Sequence, residues 1–111
     1  MEKKNLDWEN LGFGYMTTDY RYVADYRDKE WKKGCLTDDP TVRVNECAGI
    51  LQYCQEVFEG LKAYTTEDGH IVTFRPDLNA LRMEDSARRL EMPPFPQERF
   101  LEALDEVVKA N

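Results

Sequence analysis

Arg82, set in a helix-forming stretch, carries a side chain whose chemistry could hold an anion. A guanidinium stays charged at every working pH, and its planar fork of N–H donors matches carboxylate or phosphate oxygens. On residue type alone Arg82 reads rather as the partner of Glu84, Asp85 or another surface acid on an amphipathic helix. Arg75, at the end of a hairpin, offers the same chemistry but reads as structural, while Arg88 and Arg89 read as a solvated helix end where positive charge is favourable. Tyr53 and Phe58 read by themselves as core aromatics, the tyrosine adding a hydroxyl to an apolar ring. Lys62 tempts a covalent role, but a lysine forms Schiff bases only where desolvation or nearby cations keep it partly neutral. Between Leu61 and Ala63 on a strand it reads as solvent-facing. His70, beside Gly69 in a turn, takes no catalytic role, and the acid pairs at 84–85 and 105–106 look like solvated helix faces. The three cysteines, Cys35, Cys47 and Cys54, cannot all pair within one chain and match no zinc spacing. They read as reduced, structural cysteines of a cytoplasmic protein, with no metal site.

The elements that must position these groups follow from spacing. Cys47, Ile50, Leu51, Cys54, Val57 and Phe58 give one face of a helix, with Gly60 as its C-terminal cap. Leu61–Tyr64 and Ile71–Phe74 read as strands around Glu67-Asp68-Gly69, where Asp-Gly favours a tight turn. Pro76 and Asp77 open the next helix, to about Leu90, with Ala80, Met83, Ala87 and Leu90 as its buried stripe. The prolines of Met92–Pro96 stop it. A last helix carries Phe100, Leu101, Leu104, Val107 and Val108 on one face and runs into Asn111 without a capping glycine.

Upstream, residues 1–10 are polar and loosely held. Tyr20, Tyr22, Ala24 and Tyr26 alternate as a strand with one face covered. A turn at Asp28-Lys29-Glu30 leads to a return strand over Trp31–Leu36, and Val42 and Val44 mark another short strand. At 111 residues the chain suffices for one small domain. A net charge of −7 leaves no basic excess for nucleic acid or an anionic membrane, and no apolar run is long enough to span a bilayer. The start, MEKKNLDWEN, lacks the apolar core of a signal peptide.

Beyond periodicity, LQYCQEVFEGLKAY followed by TFRPDLNALRMEDSARRLEMP closely resembles the N-terminal region of branched-chain amino acid aminotransferases, as does the opening FGYMTTDY. These are pyridoxal-phosphate enzymes of fold type IV, and the resemblance runs in register from Leu11 to Pro96. It implies an α+β chain: the mixed small domain of the D-amino acid aminotransferase-like architecture over residues 11–111, incomplete at its C-terminus and without the second domain. It implies that Arg82, in NALRM, binds the cofactor phosphate and that Tyr53 and Phe58 line the substrate pocket. Phe58 would cover the side chain of leucine, isoleucine or valine, and the catalytic lysine would lie downstream, outside these residues. The partners implied are branched-chain amino acids and 2-oxo acids, within a cytoplasmic homodimer of the full-length protein. Gln52 stands where many relatives carry histidine, and Cys54 where a small residue is common, which touches fine positioning only. Two other readings remain open: another fold type IV enzyme (a D-amino acid aminotransferase or aminodeoxychorismate lyase), or a non-catalytic truncated domain acting as an association module through Phe100, Leu104 and Val108.

Overall fold

A computed structural model describes residues 5–111. Of the polar opening expected to be loosely held, residues 1–4 lie outside the described part, and Trp8–Asn10 form a short 3₁₀ turn. The described chain is a mixed α and β structure of two-stranded antiparallel ladders and three α-helices.

The expected N-terminal meander is present but divided. Strand β1 (Arg21–Val23) pairs with β4 (Cys35–Thr37), and β2 (Tyr26–Arg27) pairs with β3 (Glu30–Trp31). Asp28 and Lys29 both take positive φ, 55° and 63°, and close the two-residue hairpin whose twist suits the flanking strands. The single return strand over Trp31–Leu36 is not formed. Between the ladders, residues 32–34 oppose only 24–25, so one strand carries an extra residue and the pairing is broken there as at a bulge. The Lys32 N–H donates to the Asp25 carbonyl at 2.8 Å and bridges the gap. Gly34 lies close beneath the Tyr22 ring, where a Cβ would meet it.

The strand expected at Val42 and Val44 is absent as well. Its backbone has no neighbour to pair with, and turn chemistry takes over: Thr41 N–H and hydroxyl both donate to Asp39 Oδ1, and Cys47 N–H donates to Asn45 Oδ1.

Helix α1 also departs from expectation, running only over Gly49–Tyr53 and not to Phe58. Cys54 caps it in the left-handed region at φ 51°, so Gly60 is no helix cap. The chain then leaves the helix for long-range partners: Gln55 Nε2 donates to the Leu90 carbonyl at 2.9 Å, and Glu59 is held by the next helix. Strands β5 (Ala63–Thr65) and β6 (Ile71–Thr73) pair as expected, with Gly69 at φ 86° in the turn.

Helix α2 (Pro76–Arg89) begins at the proline foreseen for its first turn. It ends in a Schellman arrangement, with Met92 N–H on the Ala87 carbonyl and Glu91 N–H on the Arg88 carbonyl. Ala80 and Ala87, two turns apart, are buried, and Met83 is half-buried, but Leu90 is exposed because it is already the cap residue outside the last helical turn. Helix α3 (Gln97–Ala110) packs against α2 and β1, leaving Phe100, Leu101, Leu104, Val107 and Val108 half-buried rather than bare.

Polar ties fasten these helices to the meander. The Trp31 indole N–H donates to the Pro94 carbonyl at 2.8 Å, and its ring meets Phe95 edge-on at 4.8 Å. Arg99 donates to the carbonyls of Trp31 and Lys32 while lying over the Phe95 ring. The Asn111 side-chain amide pairs with both backbone groups of Tyr20, as a strand neighbour would. Above β1, an apolar groove of about 370 Å³ opens between Tyr22, Trp31, Met83, Phe95 and Leu104.

Candidate functional site

Asn79 and Arg82 lie one turn apart on α2 and therefore share a face. The extended segment after α1 crosses that face and delivers Glu59 to both. Arg82 Nε donates to Glu59 Oε1 at 2.6 Å and Arg82 Nη2 to Oε2 at 2.7 Å, a side-on, two-point pair. Asn79 Nδ2 donates to the same Oε2 at 2.9 Å and to the Gly60 carbonyl at 3.2 Å.

The two charges of this pair are unequally placed. The Glu59 side chain is 6% exposed, whereas that of Arg82 is 67% exposed. Hydrogen bonds from Arg82 hold the Glu59 carboxyl below its ordinary value, against the desolvation that would raise it, and Asn79 adds to the lowering. The same pairing raises Arg82 further above its already high value. With Nε and one hydrogen of Nη2 on Glu59, the end of the guanidinium, Nη1 and the outer Nη2 hydrogen, points away from the pair. An exposed guanidinium end offering parallel N–H donors is a receptor for phosphate or carboxylate oxygens.

The ion pair open to Arg82 from residue type is formed, but with Glu59 and not with its helix neighbour Glu84. Glu84 instead accepts from Gln97 at 2.6 Å and from Arg88 at 2.6 Å, one turn along the helix. Arg75 is held by Asp77 through two hydrogen bonds of 2.9 and 2.7 Å, consistent with a structural role at the helix start.

Tyr53 and Phe58 sit at the ends of the connection between α1 and Glu59, 84% and 89% exposed. Neither is a core aromatic in the described chain. Phe58 borders a shallow depression with Asp85, Ser86 and Arg89 of α2, and neither Arg82 nor Tyr53 lines it. The described residues thus bring Phe58 and Arg82 to the same helix without enclosing them in one pocket. Lys62 and His70 are exposed, with His70 Nε2 3.5 Å from Asp68. All three cysteines are free and exposed, contrary to a structural role in packing. No helix among the described residues is long and apolar enough to cross a membrane, and no cluster of His, Cys, Asp or Glu among them is placed to hold a metal ion.

Glu59 and Asn79 escaped the sequence reading. Their only local signals are the acid in FEG and the one-turn spacing of Asn79 from Arg82, neither of which names a partner.

No family model matches the chain. It is 53% identical over 108 residues to the branched-chain-amino-acid aminotransferase of Haemophilus influenzae, a match covering 97% of this chain and 32% of that protein. It is 45% identical over 108 residues to the enzyme of the same name from Helicobacter pylori, covering 97% and 32%. Against the methionine aminotransferase BCAT4 of Arabidopsis thaliana it is 44% identical over 108 residues, covering 96% and 30%. The chain spans about a third of the length of the curated relatives it matches.

Proposed function

Because this chain is a homologue of the branched-chain amino acid aminotransferases over about a third of their length, we propose that it is the N-terminal, cofactor-anchoring part of a pyridoxal-phosphate-dependent aminotransferase of fold type IV. The full-length protein moves an amino group between leucine, isoleucine or valine and 2-oxoglutarate, as a homodimer. The observation that carries the reading is Arg82, exposed on α2 within the motif NALRM, with the end of its guanidinium open and its side edge fixed.

The donor set fits a phosphate group. When bound, pyridoxal phosphate supplies a ring that accepts the electron pair released at the substrate carbon. Arg82 holds the phosphate and so fixes the ring's position. The Tyr53 hydroxyl holds the amino group or the lysine amine by hydrogen bonding, and Phe58 covers the aliphatic side chain. The high exposure of both aromatics supports this, since side chains destined for an interdomain pocket are bare until the other wall is present. The lysine that exchanges protons with the substrate belongs to the other domain.

That the relatives include one named for methionine beside those named for branched-chain amino acids supports an apolar side-chain preference. The test uses the full-length protein carrying these residues. Leucine, isoleucine and valine are expected to serve as amino donors to 2-oxoglutarate, and turnover of D-amino acids alone would overturn the assignment. Arg82→Ala is expected to weaken pyridoxal-phosphate binding roughly tenfold to a hundredfold by equilibrium dialysis, the worth of charge-assisted contacts; unchanged affinity would remove the anchor role.

A further inference from the structure

Arg82 is long and flexible, and a phosphate anchor is useful only if the guanidinium waits in the binding orientation. The side-on pair with Glu59 supplies that. Two-point contact through Nε and Nη2 removes rotation of the guanidinium plane and leaves its end as the free edge. Glu59 is itself held: Asn79 donates to Oε2, and the same amide group donates to the Gly60 carbonyl, so the loop bearing Glu59 is tied to the helix bearing Arg82. The buried acid and the exposed base of the pair fit a support and a receptor.

We infer that Glu59 is a positioning residue, which with Asn79 orients Arg82 for an incoming phosphate monoester. The inference rests on the cofactor-anchoring reading of Arg82 and adds to it the residues that preorganise the anchor. Fixing a charged donor before the ligand arrives spares the ordering cost at binding, which otherwise subtracts from affinity.

The experiment compares pyridoxal phosphate with pyridoxal, which lacks the phosphate, as ligands of the full-length apoprotein, by equilibrium dialysis. Glu59→Gln keeps the shape of the side chain and removes its charge. It is expected to weaken pyridoxal-phosphate binding roughly tenfold while leaving pyridoxal within about twofold. Equal losses for both ligands would mean that the pair is a structural tie, and no loss for either would mean that Arg82 orients itself; each overturns the inference. Arg82→Ala separates the two levels. If it weakens pyridoxal phosphate while Glu59→Gln does not, positioning fails and the anchor stands. If Arg82→Ala changes nothing, anchor and positioning fall together. Should Glu59→Gln not fold, Asn79→Ala, which removes the hold on Oε2 together with the tie to the Gly60 carbonyl, decides the matter by the same comparison: a smaller loss selective for the phosphorylated ligand is expected, and an equal loss for both ligands would overturn the inference.

Discussion

Glu59 keeps its charge although burial works against it. Hydrogen bonds from Arg82 outweigh desolvation, with Asn79 assisting, and the carboxyl lies below its ordinary value of 4.5. Since the folded-state value is the lower one, the stabilisation is present in full above about pH 4.5 and is lost as the pH falls through the depressed value. The difference in urea midpoint between the wild type and Glu59→Gln is therefore expected to be open above pH 4.5 and to close below it. A difference independent of pH would show that the charge is immaterial. The contrast between the two partners explains what the sequence could reveal at this scale. Arg82 draws attention in the sequence because it sits inside a motif whose neighbours are contiguous. Glu59 does not, because its partner lies 23 residues away and only folding brings them together.

Helix boundaries were legible to the degree that their causes are local. Pro76 and Asp77 at the start of α2, and the prolines beyond its end, act through the backbone of their own turns, and the observed Pro76–Arg89 differs little from the expected span. Helix α1 stops early for reasons outside it, including the contact of Gln55 with Leu90, 35 residues away. No periodicity carries that information. The end of α2 carries one strained residue. Glu91 occupies, at φ 55°, the left-handed position that glycine usually fills after a helix. Left-handed backbone costs an ordinary residue about 1–2 kcal/mol, part of which glycine returns through its looser unfolded chain. Glu91→Gly is thus expected to stabilise the protein by about 0.5–1 kcal/mol in urea denaturation, and a loss of stability would mean that the Glu91 side chain makes an offsetting contribution.

As a whole the chain exposes 9580 Å², against about 6400 Å² for a folded monomer of its mass. Its radius of gyration, 15.7 Å, likewise exceeds the value near 13 Å for a compact domain of this length. Among the described residues the only buried apolar side chains are Ala80 and Ala87, and Phe13, Tyr53, Phe58 and Phe74 stand almost bare. Such a surface asks for cover, and the relatives, about three times as long, have chain to supply it. The 111-residue chain alone is expected to bind a hydrophobic dye strongly, and to lose that binding when joined to the complementary two-thirds of the Haemophilus influenzae relative. Weak dye binding by the isolated chain would indicate that it closes on itself. This was not legible beforehand: the bare aromatics of the 53–58 connection were expected inside a helix and so looked like core, and the α3 face expected to be open is half-buried against α2 and β1.

Trp31 has a property separate from any role in catalysis. Its indole N–H lies on the Pro94 carbonyl and its ring stands edge-on to both Tyr26 and Phe95, at 5.3 and 4.8 Å. Indole emission shifts with hydrogen bonding and local polarity, so this ring is a built-in optical gauge of whether the β2–β3 hairpin is seated on the connection between α2 and α3. With Trp8→Phe silencing the chain's other indole, the wavelength of the remaining emission follows that seating in real time, without a label.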